Sequence, residues 1–277
     1  KTTTAVNLAA GLARLGRRVC LVDLDPQAHA SLHLGVRVAA GEPTAFDLIV
    51  EGASLTDVRR EARDNLWIVP SHIDLSAVEL ALANRIGRES ILRSCVEADP
   101  ACRLVADLTA EGSAEVFDYM IIDCPPSLGL LSLNAMAVAQ HVLLPLQPHF
   151  LALHGTSQLL ETIKLVREHI NPRLGLLGVV LCVYEAGTRL AAEVGRDVRA
   201  FFDSSTGHAA WHHARLFATR IRRNVRLAEA PSFGQTIFEY AVASNGAEDY
   251  AALAAEVEQA LAARDADHDT KPLGLAA

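Results

Sequence analysis

Two carboxylates stand directly after a short apolar run in the stretch VCLVDLDPQ, residues 19–27. Val19–Val22 is typical of a buried strand, and Asp23 and Asp25 come where that strand ends. Carboxylate oxygens are ligands that Mg²⁺ takes in phosphate-handling sites. The stretch therefore indicates metal chemistry, provided that a phosphate group binds at the same place.

A phosphate-binding element is indicated by the first residues, Lys1-Thr2-Thr3, which precede apolar residues at a 3.6-residue spacing up to Gly16. That spacing predicts an amphipathic helix. A helix N-terminus presents N–H groups and partial positive charge, and a lysine adds a full charge, so both attract phosphate. A threonine here can hold Mg²⁺, as in the pattern G-x-x-x-x-G-K-[ST], whose glycines would precede Lys1.

A second strand ends in a carboxylate in the stretch FDYMIIDCPPS, residues 117–127. Asp123 follows the apolar run Tyr119–Ile122, and Pro125-Pro126 keeps the chain from continuing in the sheet or entering a helix at once. An aspartate at such a strand end holds Mg²⁺ in phosphate-loop NTPases. Because a strand-ending aspartate is as often only a cap, the metal role depends on the two patterns above.

Apolar runs recur along the chain with helical patterns between them. The predicted strands are Val19–Val22, Leu66–Val69, Tyr119–Ile122, Val142–Leu146, Leu176–Val183 and Phe217–Ile221. These runs are continuous rather than alternating, as expected when helices cover both faces of a parallel sheet. The pattern predicts an α/β fold, a doubly wound and mostly parallel sheet in a single domain over residues 1–263. We expect residues 36–115 to be helical decoration at the sheet edge, and the polar tail 264–277 to be disordered.

The composition limits the class of protein. The 277 residues are 51% hydrophobic, which is enough for a large core, and no run reaches the roughly 18 apolar residues of a membrane helix. The five cysteines form no C-x-x-C pair, which favours buried thiols in a reducing cytoplasm over disulfides or a metal site. We therefore expect a cytoplasmic protein.

The net charge of −8 is distributed unevenly. Between Gly187 and Arg226 there are eight arginines and three acids, so the remainder of the chain is strongly acidic. An arginine-rich region permits an anionic partner, whereas the charge of the whole protein discourages nucleic acid.

Four segments resemble the ParA/Soj family of chromosome- and plasmid-partition ATPases, part of the MinD/ParA class with a deviant Walker A motif. They are KTTTAVNLAAGLARLGRRVCLVDLDPQ, FDYMIIDCPPSLGLLSLNA, ALHGTSQLL and RRNVRLAEAPSFGQTI, and they occur in the family's order. The resemblance runs from Lys1 to about Leu261. It implies a P-loop NTPase-like fold and an ATP-dependent switch that hydrolyses ATP with Mg²⁺ to drive partitioning. The given sequence starts at the Walker A lysine, so as written we expect it to bind ATP poorly.

The resemblance also implies roles for single residues. The catalytic residues are Lys1, which matches the phosphate-binding lysine, and Asp25, which matches the carboxylate that positions the attacking water. The magnesium site is matched by Thr2, Asp23 and Asp123. Thr2 matches the Mg²⁺ ligand, Asp123 matches the Walker B aspartate, and Asp23 orients Mg²⁺-bound water or the loop. The nucleotide-binding residues are Lys1, Thr2, Thr3, Cys182, Arg223 and Asn224.

For partners, the resemblance implies an ATP-dependent homodimer, a ParB-like stimulating protein and duplex DNA bound without sequence preference. Several usually basic positions are lost here, since the chain has Gln235, Glu239 and Gly187 instead. Phosphate contacts by arginine supply most of such affinity. The arginines that can compensate are Arg196, Arg199, Arg220 and Arg222.

Other functions remain open on the sequence alone. A MinD-like positioning ATPase would need a C-terminal amphipathic helix rich in lysine and large apolar residues, and the tail RDADHDTKPLGLAA is neither. A positioning ATPase for another cellular cargo would lack DNA binding. The same superfamily also contains iron–sulfur reductase components and ATP-dependent amide ligases. A non-catalytic regulator on this fold is a further alternative, which the presence of both Asp25 and Asp123 argues against.

Overall fold

The computed structural model describes residues 1–102, 116–149, 152–203, 210–211, 214–267 and 275–276, and within them eight strands form one sheet. In chain order the strands are β1 (Val19–Asp23), β2 (Arg60–Arg63), β3 (Leu66–Val69), β4 (Tyr119–Asp123), β5 (His141–Leu146), β6 (Gly175–Tyr184), β7 (Arg215–Arg222) and β8 (Leu275–Ala276). Their spatial order is β2-β3-β1-β4-β8-β5-β6-β7. Only the β2–β3 pair is antiparallel among these strands. The predicted mostly parallel sheet is confirmed.

Helices connect the strands in the order expected for a doubly wound fold. They are α1 (Thr2–Arg14), α2 (His29–His33), α3 (Leu55–Val58), α4 (Val78–Ala81), α5 (Ile91–Ala98), α6 (Leu130–Val138), α7 (Ala152–His169), α8 (Arg189–Asp203), α9 (Val225–Glu229), α10 (Ile237–Tyr240) and α11 (Asn245–Asp267). A π-helical turn at Asp47–Glu51 and short 3₁₀ turns complete the described elements.

In the middle of the sheet, strands such as β1 and β4 are buried on both faces, which explains their continuous apolar sequences. In β1, Val19 and Leu21 join the core formed with α1 and α11, where Tyr250 is the largest buried side chain. The alternate residues Cys20 and Val22 join the opposite core, formed with α5 to α8. Side chains that alternate along one strand therefore fill two separate cores.

The edge of the sheet next to β3 differs from the sequence prediction. The strand β2 reads Arg-Glu-Ala-Arg and is half-exposed, and it reaches β3 through a turn in which Asn65 has φ of 59°. Charged residues are common on edge strands because they discourage pairing with another sheet, but they carry no apolar strand signal. The short helices α3 to α5 agree with the expected helical decoration.

The C-terminal tail differs in part from the prediction, since α11 continues to Asp267, inside the segment 264–277 that we expected to be disordered. The two residues of β8 pair in parallel with both β4 and β5. The remaining part of the tail expected to be disordered, residues 268–274 and Ala277, lies outside the described residues. Over the described part of the chain, none of the helices is long and apolar enough to cross a membrane.

Candidate functional site

The two predicted carboxylate strands are neighbours, and their acids meet at the same edge. In the parallel pair β1–β4, Asp23 and Asp123 are direct register partners, and both are fully buried. The Leu24 N–H donates to the Asp123 carbonyl oxygen at 2.9 Å, so the pairing continues beyond the acids. Adjacent strands lie about 4.8 Å apart. Residues separated by one hundred positions in sequence are therefore held side by side.

Asp23 is held by hydrogen bonds to both carboxylate oxygens. The Asp25 N–H donates to Oδ1 at 3.2 Å, while the N–H and hydroxyl of Ser31 donate to Oδ2 at 2.9 and 2.7 Å. Burial raises the pKa of Asp23 to about 6, and the charge of Asp25 adds to this, whereas the bonds from Ser31 and Asp25 lower it. The carboxylate is therefore oriented but destabilised in its charged form.

Asp123 has no such support. Within the described residues, neither carboxylate oxygen makes a well-formed hydrogen bond, although the Thr2 hydroxyl is close enough to lower the pKa. Burial raises the pKa of Asp123 to about 7, and the neighbouring charges of Asp23 and Asp25 act in the same direction. A buried carboxylate without a partner is costly, and a cation beside it would remove most of that cost.

The start of α1 lies at this orphaned carboxylate. Lys1 precedes the helix, and no side chain caps the first turn, which contains no acid. Burial raises the pKa of Cys124, the residue directly after Asp123, to about 12, and the positive charge of Lys1 opposes this rise. The exposed lysine, the helix N-terminus and the end of β4 therefore face one region, as predicted.

These oxygen groups fit a magnesium ion bound together with a phosphate. Thr2 offers a hydroxyl, and Asp23 and Asp123 offer carboxylates at one sheet edge. The described residues contain no group of three or more His, Cys, Asp or Glu side chains arranged to hold a metal alone. Magnesium in nucleotide sites uses one or two carboxylates and completes its shell with water and substrate phosphates, so this smaller donor set is sufficient.

Three of the predicted nucleotide-binding residues, Cys182, Arg223 and Asn224, lie at or just after the carboxyl ends of β6 and β7. The Arg223 N–H donates to the Tyr184 carbonyl oxygen at 3.1 Å, and Asn224 caps α9 by accepting from the Arg226 N–H at 2.9 Å. Cys182 Sγ lies 3.8 Å from Thr4 Oγ1, which connects this end to α1. Cys182, Arg223 and Asn224 thus lie at the same edge of the sheet, and their contact with a nucleotide stays a prediction.

Backbone strain is present at the same place. Val183 has φ of 52°, a left-handed conformation that is rare for a β-branched residue, and 42% of its surface is exposed. The β6–β7 register is irregular between Cys182 and Tyr184. Strain of this kind concentrates at ligand sites. The sequence carries no sign of it, because valine is ordinary in a strand.

Two buried polar residues on α1 were not predicted as part of the site. Thr4 Oγ1 lies 3.2 Å from the Tyr250 hydroxyl on α11, and Asn7 Oδ1 accepts from the Ile237 N–H on α10 at 2.8 Å. These two contacts connect α1 to the C-terminal helices α10 and α11. The available signal was the presence of polar residues on the apolar face of α1.

The arginines proposed for DNA separate into two groups. Arg196, Arg199 and Arg220 line one groove with Arg189 and Tyr184, of about 750 Å³. The Arg220 guanidinium lies 4.6 Å from the centre of the Tyr184 ring. Glu193 also lines the groove, so its charge is mostly but not wholly positive.

Arg222 points elsewhere. Its guanidinium donates to Asp249 at 2.6 Å and to Glu248 at 2.6 Å, both on α11. Because these two acids already bind the guanidinium, Arg222 is not available to bind a DNA phosphate. The structure therefore brings three of the four candidate arginines together, whereas the fourth, Arg222, pairs with acids of the same chain.

Comparison with known proteins agrees with this geometry. The chain matches the AAA domain family over residues 1–176. It is 40% identical over 258 residues to the sporulation initiation inhibitor protein Soj of Bacillus subtilis, covering 93% of this chain and 92% of the relative. It is 42% identical over 257 residues to the chromosome-partitioning ATPase Soj of Thermus thermophilus, covering 93% and 90%.

Solved structures with the same fold include nucleotide complexes. Cobyrinic acid a,c-diamide synthase from Mycobacterium smegmatis with bound ADP and magnesium is 29% identical, has a TM-score of 0.70 and covers 98% of this chain and 92% of its own. The cell division ATPase MinD of Pyrococcus furiosus is 25% identical with a TM-score of 0.64, covering 93% and 92%. The acids at the ends of β1 and β4 and the Lys1-Thr2 start of α1 agree with these relatives. The chain therefore belongs to the Soj/ParA family of chromosome-partitioning ATPases.

Proposed function

We propose that this chain is a magnesium-dependent ATPase that acts as a switch in DNA partitioning in the bacterial cytoplasm. Lys1 and the start of α1 bind the phosphates, while Thr2, Asp23 and Asp123 hold the ion. Bound Mg²⁺ neutralises phosphate charge. Asp25 orients the attacking water and accepts its proton, because phosphoryl transfer needs positioning more than covalent chemistry from the protein.

One observation carries this proposal. The buried Asp123 carboxylate makes no well-formed hydrogen bond among the described residues, and it is the register partner of Asp23 beside Thr2. A buried carboxylate without a partner lowers the stability of the folded state unless a cation binds beside it. Relatives solved with ADP or an ATP analogue and magnesium provide the matching ligand class.

ATP turnover of the full chain, including any residues that precede Lys1, tests the proposal. We expect slow magnesium-dependent hydrolysis, lost in both Lys1→Gln and Asp25→Ala. Asp74→Ala is the matched control, since this acid is exposed and pairs only with His72 at 2.9 Å in the described structure. Asp25→Ala is expected to retain ATP binding. Turnover that survives Asp25→Ala unchanged would remove the assigned role.

The partners of the switch are the second part of the proposal. We propose that ATP holds two copies together, that the dimer binds duplex DNA through the groove of Arg196, Arg199 and Arg220, and that a ParB-like protein stimulates turnover. The groove collects positive charge on one surface, and phosphate contacts of this kind need no base recognition.

Retention of duplex DNA with a non-hydrolysable ATP analogue tests this part. We expect binding that falls steeply as salt rises, and a combined Arg196→Ala and Arg199→Ala variant that weakens it at least tenfold. Arg93→Ala is the control, because Arg93 lies on α5 in an exposed pair with Glu97. Equal retention by the groove variant and the control would exclude this surface, and no retention by the wild type would exclude DNA binding.

A further inference from the structure

Two buried serines lie behind the segment of residues 24–28, which joins β1 to α2, carries Asp25 and is called the carboxylate loop below. Ser31 is on α2, and Ser71 comes two residues after the end of β3; each has only 1% of its surface exposed. The Ser71 N–H donates to Ser31 Oγ at 3.0 Å, and the Ser31 hydroxyl donates to Asp23 Oδ2 at 2.7 Å. A hydrogen-bonded chain therefore runs from the end of β3 to Asp23.

Ser71 also holds the other acid. Its hydroxyl donates to the Asp25 carbonyl oxygen at 2.6 Å, and the same oxygen accepts from the Ala28 N–H at 2.8 Å. The Asp25 side chain accepts from the Gln27 N–H at 3.0 Å. The loop thus closes on itself, and Ser71 fastens it to the neighbouring strand.

We propose that Ser71 is a positioning residue for Asp25, acting with Ser31, which positions Asp23, in the hydrolysis proposed above. The hydroxyl of Ser71 reaches the backbone of Asp25 rather than the substrate, so it acts by fixing where the carboxylate stands. A displacement of about 1 Å at such a group can lower a rate about a hundredfold. Buried hydroxyl bonds are well suited to this role because they leave few alternative positions.

A purely structural role makes a different prediction. If Ser71 only stabilises the fold, its loss lowers the free energy of unfolding and leaves the loop geometry and the rate constant unchanged. Ser132 provides the matched control for this case. Its buried hydroxyl donates to the Ser127 carbonyl oxygen at 2.6 Å, which is the same bond type at the same length on a different element.

Hydrogen exchange without nucleotide is the first readout. We expect Ser71→Ala to raise the exchange rate of the Gln27 and Ala28 amides about tenfold, and Ser132→Ala to leave them within twofold of wild type. If Ser71→Ala does not fold, Ser31→Ala carries the same test through Asp23, with faster exchange of the Asp25 amide. Equal exchange in the serine variants and the control would overturn the inference.

Steady-state kinetics is the second readout. We expect Ser71→Ala to lower kcat about tenfold. KM for ATP should change less than twofold, because Lys1 and the start of α1, which bind the phosphates, are unchanged. Ser71→Thr retains the hydroxyl and should recover most of kcat. A fall in kcat/KM that comes from KM alone would overturn the inference while leaving the ATPase proposal standing. If wild type shows no magnesium-dependent turnover, the proposed function fails, and if Asp25→Ala turns over ATP as fast as wild type, only the assigned role of Asp25 fails. In either case the exchange result still decides the role of Ser71 in the loop.

Discussion

Gly35 and Gly234 meet backbone to backbone, so that a Cβ on Gly234 would lie 2.8 Å from the Gly35 Cα atom. Arg63 fastens the same junction by donating to the Leu34 carbonyl oxygen at 3.1 Å and to the Gly234 carbonyl oxygen at 2.8 Å. The carboxylate loop leads into α2, and the segment after α2 is thereby joined to the segment that carries Gln235. Both glycines have positive φ.

Gly234→Ala should destabilise the protein more than Gly41→Ala. Both glycines have positive φ, of 63° and 83°, so both variants bear the left-handed penalty of about 1 kcal/mol. Of these two glycines, only Gly234 has atoms that a methyl group would strike, since no atom of the described residues lies within 4 Å of a Cβ at Gly41. We expect overpacking to add about 1–3 kcal/mol, measured by urea unfolding. Equal losses would show that the junction can open without cost.

Ala28→Gly should stabilise the carboxylate loop. Ala28 has φ of 53° and ψ of 32° directly before α2, a conformation that costs a non-glycine residue about 1–2 kcal/mol. Part of the relief is offset by the greater freedom of glycine in the unfolded chain, so the net gain should be roughly 0.5–1 kcal/mol. Ala251→Gly, at an exposed position in α11, is the control and should lose about 1 kcal/mol. A loss at both sites would contradict the prediction.

Asp123→Asn should stabilise the nucleotide-free protein while abolishing magnesium binding. Burial and the charges of Asp23 and Asp25 raise the pKa of Asp123 to about 7, so its charged form opposes folding increasingly as pH rises from the unfolded value near 4 through 7. The amide removes this penalty, which is about 4 kcal/mol at pH 8 when the pKa rises from about 4 to about 7. Unfolding free energies at pH 8 and pH 5.5 check the sign. A gain that is equal at both pH values would mean that charge is not its cause.

His33 should contribute to acid unfolding. Its side chain has 1% exposure, and burial lowers its pKa to about 4, although a backbone hydrogen bond with Gln235 and the charge of Glu239 raise it. The unfolded chain binds the proton more readily, so the contribution is complete above pH 6.5 and is lost as pH falls towards 4. The loss is at most about 3 kcal/mol.

His33→Gln tests this contribution, since it removes the titrating group and should reduce the difference in unfolding free energy between pH 7.5 and pH 5. His141 will maintain part of that difference, because burial and Arg264 lower its pKa to about 4 as well. A pH dependence identical to wild type would show that His33 is not responsible.

The elements that carry the site were readable from local patterns. A 3.6-residue apolar spacing predicted α1, and continuous apolar runs predicted β1 and β4 with an acid at the end of each. The strand β2 was missed because four charged and small residues at a sheet edge carry no apolar signal. Ser31 and Ser71 were missed for a related reason, since a serine beside a turn has the same local signature whether or not it holds a carboxylate.

By itself the sequence determined which chemical groups stand at the ends of which elements, and its family resemblance assigned them to ATP and magnesium. Only the tertiary structure decided which groups meet. Asp23 lies beside Asp123, whose carboxylate makes no well-formed hydrogen bond within the described residues, and Ser71 donates to the Asp25 carbonyl oxygen. Arg222 pairs with Asp249, while Arg196 and Arg199 line one groove. The reason is physical. Apolar periodicity is a local property, whereas burial, register and charge pairing depend on residues far apart in the chain.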